Sequence, residues 1–228
     1  MNRASENCVL FFVKHPAAGK VKTRLAQHVG QDVATDLYKS FVADILSTLR
    51  ALSVNIRIVY YPSDAENQFQ QWLGEEYSYI RQVGMDLGQR MKNAFLQAFS
   101  DGFDKVVLIG SDLPDLPAEY LELAFKALET NGVAVGPSSD GGYYLIGFAK
   151  EALLPDVFEG ITWSSADVFE QTLKILKKHK QRVFMLPQWH DVDTWTDLSE
   201  LVERNKYTAF NQSNTLRLIQ KAAGKMKG

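Results

Sequence analysis

Five short segments hold the residue types that bind phosphate or a hard cation. The first runs Lys14-His15-Pro16-Ala17-Ala18-Gly19-Lys20-Val21-Lys22-Thr23-Arg24, with Lys14, Lys20, Lys22 and Arg24 as its cations. Loop amides and a helix N-terminus favour anions, lysine and arginine add full charges, and Gly19 lets the chain turn. A phosphate-bearing ligand suits such a loop; a solvated basic surface loop is the plainer alternative. The loop is not a Walker A motif, because Val21 follows Gly19-Lys20 where Ser or Thr would be needed. The second segment is Gly110-Ser111-Asp112-Leu113-Pro114-Asp115. Asp112 at the end of an apolar run is a hard oxygen ligand of the kind Mg²⁺ or Mn²⁺ accepts together with substrate phosphates. Capping a turn or the next helix is the competing role, and the expected one for Asp115.

The third segment, His190-Asp191-Val192-Asp193-Thr194, puts two carboxylates on one side if it is extended. Like charges so placed call for a cation. Alternatively, Asp193 or Thr194 opens a helix, with Thr194 and Asp197 as a capping-box-like pair. The fourth, Gly136-Pro137-Ser138-Ser139-Asp140-Gly141-Gly142, allows close approach of backbone to a ligand, although Asp-Gly is also a strong hairpin signal. The fifth, Asp86-Leu87-Gly88-Gln89-Arg90, opens a helical pattern and could support a nucleotide, with a helix cap as the simpler account.

The intervening pattern says how these segments are held. Short apolar runs at Cys8–Val13, Asn55–Tyr60, Lys105–Ile109, Val133–Val135, Tyr143–Phe148 and Arg182–Leu186 read as strands, with a weaker one at Tyr77–Val83. Helical spacing recurs from Leu37 to Leu52, and at Ala65–Leu73, Leu87–Phe99, Pro117–Thr130, Ser165–His179, Thr196–Asn205 and Asn214–Lys221. Alternation of the two predicts an α/β fold: a three-layer α/β/α sandwich around a mostly parallel mixed sheet, spanning residues 1–228 as a single domain. The strands at 133–148 are too close for a helical crossover, so an antiparallel insertion is expected there. Ligands bind beyond the carboxyl ends of such strands, so the loops after Val13, Ile109, Val135 and Leu186 should meet at one rim.

Composition narrows the function classes. The 228 residues are 46% hydrophobic and 23% charged, ordinary for a soluble globular protein. Twenty-five Lys and Arg against 27 Asp and Glu give a net charge of −2, which argues against bulk attraction to nucleic acid or an anionic membrane. The single cysteine, Cys8, excludes an internal disulfide or cysteine-based zinc site and reads as inert core. No run approaches the roughly 20 apolar residues of a membrane span, and the polar Met1–Asn7 start does not resemble a secretory leader. A soluble, cytoplasmic protein is expected. No nucleophile elbow is present, which disfavours hydrolysis through a serine or cysteine.

Taken in order, FVKHPAAGKVKTRLA, GSDLPDLP, GPSSDGGYYLIGF, GITWSS and DVDTWTDL resemble the DUF2064 family, also termed radical-SAM/selenodomain-associated transferase 1. The resemblance covers nearly the whole chain and implies a GT-A-like (Rossmann-like) nucleotide-diphospho-sugar transferase fold. The pattern is also similar to phospholactate, phosphoenolpyruvate and molybdenum-cofactor guanylyltransferases, although the LAGG glycines of the last are absent. By that resemblance Lys14, Lys22 and Arg24 would bind the nucleotide phosphates, and Gly19 of the basic loop and Gly88 of the fifth segment are the further candidates beside them. Asp112, Asp191 and Asp193 would hold Mg²⁺ or Mn²⁺, and Asp140, Gly141 and Gly142 would approach the acceptor. The implied function is metal-dependent transfer from a nucleotide-activated donor, with Lys22, Arg24 and Asp112 catalytic. Transfer of a glycosyl group from a nucleotide-sugar to a small acceptor leads. Transfer of a nucleotidyl group from a nucleoside triphosphate to a phosphorylated small molecule is the alternative, and a non-enzymatic nucleotide sensor the third.

Overall fold

A computed structural model describes residues 6–163 and 165–225; Ser164, inside GITWSS, and the first five residues lie outside the described set. The elements follow in the order β1 (Asn7–Lys14), α1 (Thr23–Val29), α2 (Gln31–Arg50), β2 (Asn55–Tyr61), α3 (Glu66–Leu73), β3 (Ser78–Arg81), α4 (Leu87–Ser100), β4 (Lys105–Ile109) and α5 (Ala118–Leu128). They continue with β5 (Gly132–Pro137), β6 (Tyr143–Ala149), α6 (Val168–Lys178), β7 (Arg182–Met185), α7 (Trp195–Arg204) and α8 (Asn214–Lys225).

Seven strands form one sheet in the order β3-β2-β1-β4-β6-β5-β7. β1 pairs in parallel with β2 and β4, β2 with β3, and β5 with β7. β6 alone runs backwards, antiparallel to both β4 and β5, which is the expected antiparallel insertion. The chain builds outward from β1 to β2 and β3, then returns to lay β4 on the other side of β1. That reversal makes the carboxyl ends of β1 and β4 the switch point, the place where open α/β sheets bind ligands.

Alternate residues of the strands feed two cores. Val9, Phe11, Val13, Val107 and Ile109 face α2, α3 and α5, meeting Tyr38, Val42, Phe69 and Leu121. Cys8, Leu10, Phe12, Val106 and Leu108 face α4 and α6, meeting Met91, Phe95 and Leu176. This makes the three layers and explains why the central strands read as continuous apolar runs. Burial pushes the Cys8 thiol up to about 12, so it stays protonated core.

A third apolar cluster lies outside the sandwich. Leu25 of α1, Leu37 and Phe41 of α2, Leu198 and Leu201 of α7, Leu216 of α8 and Val192 pack together. The helical spacing from Leu37 to Leu52 belongs to α2, which is set off from the shorter α1 before it by Gly30. With φ at 83° it ends α1 by donating to the Ala26 carbonyl at 2.9 Å, and its own carbonyl starts α2. The buried Asp44 of α2 caps α8 from a distance, accepting from the backbone amides of Asn214 and Thr215, each at 2.9 Å. No helix among the described residues is long and apolar enough to cross a membrane.

Candidate functional site

The loops expected at one rim do meet there. The Val192 amide donates to the Asp112 carbonyl at 2.9 Å, and a parallel bridge joins Ser138 to Trp189. The segment after β7 therefore lies against both the β4 end and the β5–β6 hairpin.

Lys22 is the centre of the arrangement. It stands at the N-cap of α1 with φ 49° and ψ 42°, a left-handed conformation that costs a non-glycine residue roughly 1–2 kcal/mol. Its side chain makes no cap hydrogen bond. The ammonium instead pairs with Asp112 Oδ1 and, at 2.8 Å, with Asp193 Oδ1. Only 2% of the side chain is exposed, against 41% for Asp112 and 42% for Asp193, so the ion pair opens to solvent from the carboxylate side. The ring of Phe41 lies 5.4 Å from the ammonium. One ammonium touching both carboxylates sets their oxygens within about 6 Å of each other.

The charges respond to each other. Burial works against the Lys22 ammonium, but Asp112 and Asp193 outweigh it and hold its pKa above the ordinary lysine value. Burial likewise works against the Asp193 carboxylate, yet Lys22 first, then Arg24 and Lys14, hold its pKa below the usual range. Lys14 and Arg24 thus act on the same carboxylate as Lys22. Asp191 behaves in the opposite way: burial pushes it up to about 7, with Asp112, Asp140 and Asp193 adding to the rise. Its Oδ2 accepts a hydrogen bond from Ser138 Oγ, which partly offsets the burial. Asp191 and Asp193 therefore address different partners, with buried Val192 between them.

Fit to a divalent ion can be judged from this donor set. The groups are all carboxylate oxygens, with hydroxyls of Ser111 and Ser138 nearby in sequence or contact, which suits a hard cation. Asp191 is crowded by like charges that a cation would relieve. Among the described residues, no group of three or more His, Cys, Asp or Glu is arranged to hold an ion by itself. Such a set would give a divalent ion only part of its coordination, the remainder falling to other oxygen ligands.

The other expected residues have local structural partners of their own, and only Asp140 is linked electrostatically to this centre. Gly19, at φ 72°, shapes the turn between β1 and α1. Asp140 Oδ1 accepts from the Gly142 amide at 2.9 Å, so it closes the β5–β6 hairpin while its charge reaches Asp191. Gly141, at φ 88°, packs so closely that a Cβ would lie 2.6 Å from the Ala166 carbonyl carbon. Gly88 has a packing task too: a Cβ there would lie 2.6 Å from Trp163 Cζ2 and collide with the Phe158 carbonyl. Asp86 caps α4 by accepting from the Gln89 amide at 2.8 Å, and Thr194 with Asp197 forms a capping box on α7.

Asp115 corrects the capping expectation. α5 has Pro117 at its N-cap and no side-chain cap. The Asp115 carboxylate, 3% exposed, accepts from Arg204 Nε at 2.7 Å, Arg204 Nη2 at 2.9 Å, Asn205 Nδ2 at 2.7 Å and Trp189 Nε1 at 3.3 Å. It is a clamp that ties α7 and the Trp189 segment to the β4 loop. Tyr38 went unnoticed in the sequence, where it reads as one more residue on the core face of α2. Its hydroxyl accepts from the Lys14 amide at 2.9 Å and lies 3.0 Å from Ser111 Oγ, joining the ends of β1 and β4. Burial, and then Asp112, push the phenol pKa up, so it remains a neutral linker.

Comparison with known proteins agrees with this architecture. The family described as "Uncharacterized protein conserved in bacteria (DUF2064)" matches residues 45–165. The structure of a proposed nucleotide-diphospho-sugar transferase from Desulfovibrio desulfuricans G20 is 46% identical, with 98% of this chain and 97% of that one covered and a TM-score of 0.94. A cytidylyltransferase from Leptospira borgpetersenii is 16% identical over 98% of this chain and 96% of its own, with a TM-score of 0.54. Rv0371c from Mycobacterium tuberculosis H37Rv, in complex with manganese, is 16% identical over 86% of this chain and 97% of its own, at a TM-score of 0.50. At those two lower identities the likeness is one of fold. Among curated proteins none matches the chain.

Proposed function

The chain belongs to the DUF2064 family, and from that premise and the cradle at its sheet rim we propose a metal-dependent transferase acting on a nucleotide-activated donor. The observation that carries the reading is the buried Lys22 ammonium between Asp112 and Asp193, with Lys14 and Arg24 acting on the same carboxylate. Alternating cations and carboxylates at the switch point of the sheet match the needs of a diphosphate and its counter-ion. Glycosyl transfer from a nucleotide-sugar is the leading form, supported by the 46% identical relative.

In this reading Asp112 and Asp193, with Asp191 beside them, hold Mg²⁺ or Mn²⁺. When bound, the ion neutralises charge on the diphosphate and acts as a Lewis acid. Lys22 and Arg24 stabilise the negative charge that grows on the leaving group as its bond breaks. Lys14 and the Gly19 turn hold the remaining phosphate oxygens, and Gly88 at the start of α4 is assigned a supporting role for the nucleotide. The hairpin tip at Asp140, Gly141 and Gly142 borders the acceptor. The protein supplies positioning and fixed charge rather than a covalent intermediate.

A nucleotidylyltransferase reading has one observation in its favour: Lys14, Lys20, Lys22 and Arg24 in one short loop match the charge of a triphosphate. Incubation with nucleotide-sugars and with nucleoside triphosphates, each with Mg²⁺ or Mn²⁺, separates the two. Nucleoside diphosphate release supports glycosyl transfer, and pyrophosphate release supports nucleotidyl transfer. Asp112→Asn should abolish metal-dependent nucleotide binding in a folded protein, and Lys22→Ala should weaken it far more than Lys126→Ala on α5. Unchanged binding in Asp112→Asn would remove that carboxylate from the site.

A further inference from the structure

We propose that Lys22 is a built-in competitor for the divalent ion, holding the Asp112 and Asp193 oxygens until a pyrophosphate-bearing ligand draws its ammonium away. The inference rests on the transferase reading above and adds an order of events to it. Lys22 Nζ pairs with Oδ1 of Asp112 and Oδ1 of Asp193. A divalent ion bridging these carboxylates would need the same space. Two cations cannot share it, because charges a few ångströms apart in a water-poor site repel strongly.

The lysine is committed to this position. Its side chain is 2% exposed, so water does not balance its charge, and the nearby Phe41 ring adds attraction. Its backbone sits in the left-handed region at φ 49°, a conformation that persists in a non-glycine residue when its surroundings over-determine it. The ion pairs to Asp112 and Asp193 are part of those surroundings, together with the buried Val21 and Leu25 on either side in the chain. Asp191 turns to Ser138 instead, so the ammonium neutralises only part of the acidic cluster.

The carboxylates keep a counter-charge in both arrangements. Without ligand, one ammonium sits between two carboxylates. With ligand, the divalent ion takes the carboxylates while Lys22 joins Lys14 and Arg24 on the added phosphate charge. Metal and diphosphate therefore bind with positive coupling, and by linkage each strengthens the other equally.

The test titrates full-length protein with Mn²⁺ alone and with Mn²⁺ plus inorganic pyrophosphate, reading free Mn²⁺ by electron paramagnetic resonance. Wild type should bind Mn²⁺ weakly until pyrophosphate is added. Lys22→Met, which keeps the volume and removes the charge, should bind Mn²⁺ alone at least about tenfold more tightly, while Lys22→Arg should stay weak. The gain should vanish in Lys22→Met/Asp112→Asn. A Lys22→Met protein no tighter than wild type overturns the proposal, as does a gain that survives the loss of Asp112. Should Lys22→Met not fold, wild type alone decides: independent binding of Mn²⁺ and pyrophosphate refutes the competition. If wild type binds neither pyrophosphate nor nucleotides with Mn²⁺, the transferase reading falls and the competition with it. Tight Mn²⁺ binding by ligand-free wild type overturns the competition only.

Discussion

Replacing Asp115 with Asn keeps the shape of the side chain and removes the charge that four donors share. Arg204 would lose a bidentate partner while only 23% exposed, and the Asn205 amide would face a group that now carries donors of its own. Removing one member of a buried ion pair costs about 3–5 kcal/mol. The partial exposure of Arg204 argues for the low end, about 3 kcal/mol. For a chain of this size each kcal/mol lowers the midpoint by about 2–4 °C, so Asp115→Asn should melt about 6–12 °C below wild type. The effect should reach the site, because Asp115 also holds Trp189, which leads directly into Asp191 and Asp193. Calorimetry measures the first effect, and nucleotide binding well below the melting transition measures the second. An unchanged melting temperature would refute the clamp. A large melting shift with unchanged nucleotide affinity would refute its link to the carboxylates.

Two further substitutions read the site directly. Folding holds the Asp191 proton more tightly than the unfolded chain does, since its pKa rises to about 7. Ligand-free stability from this group is therefore full below the ordinary carboxylate range and is lost as pH climbs through about 7. Asp191→Asn should flatten that decline and raise the melting temperature at pH 8, as a pH series of thermal melts would reveal; an unaltered slope contradicts the assignment. Tyr38→Phe deletes the hydroxyl between the Lys14 amide and Ser111, and should cost about 1–2 kcal/mol in urea unfolding with an unchanged m-value.

Much of the frame is legible in the sequence because parallel strands buried on both faces must be apolar throughout. Lys105–Ile109 is read to the residue for this reason. The ends of β1 and β4, and thus Lys14 and Asp112, follow from it. What pairs with what is not legible. Lys22 meets Asp193 across 171 residues of chain, and no local rule links them. Asp115 misleads in the same way: a local cap is the natural expectation, while its real partners lie 74, 89 and 90 residues further on. The break at Gly30 had a signal, a glycine inside a helical stretch, but the apolar spacing of α2 masks it. Tyr38 carried none, since a tyrosine on a core-facing stripe is chemically silent until its hydroxyl is located.

The satellite apolar cluster has a mechanical meaning. Val192 is flanked by the two acids, and Leu25 directly follows Arg24, so both oppositely charged loops are pinned by roots set in one greasy block with Phe41 and Leu216. The gap across which a substrate would be gripped is thus fixed by hydrocarbon rather than by the charges that line it. Relatives could exchange polar rim residues, and so trade one cargo for another, without loosening the vise.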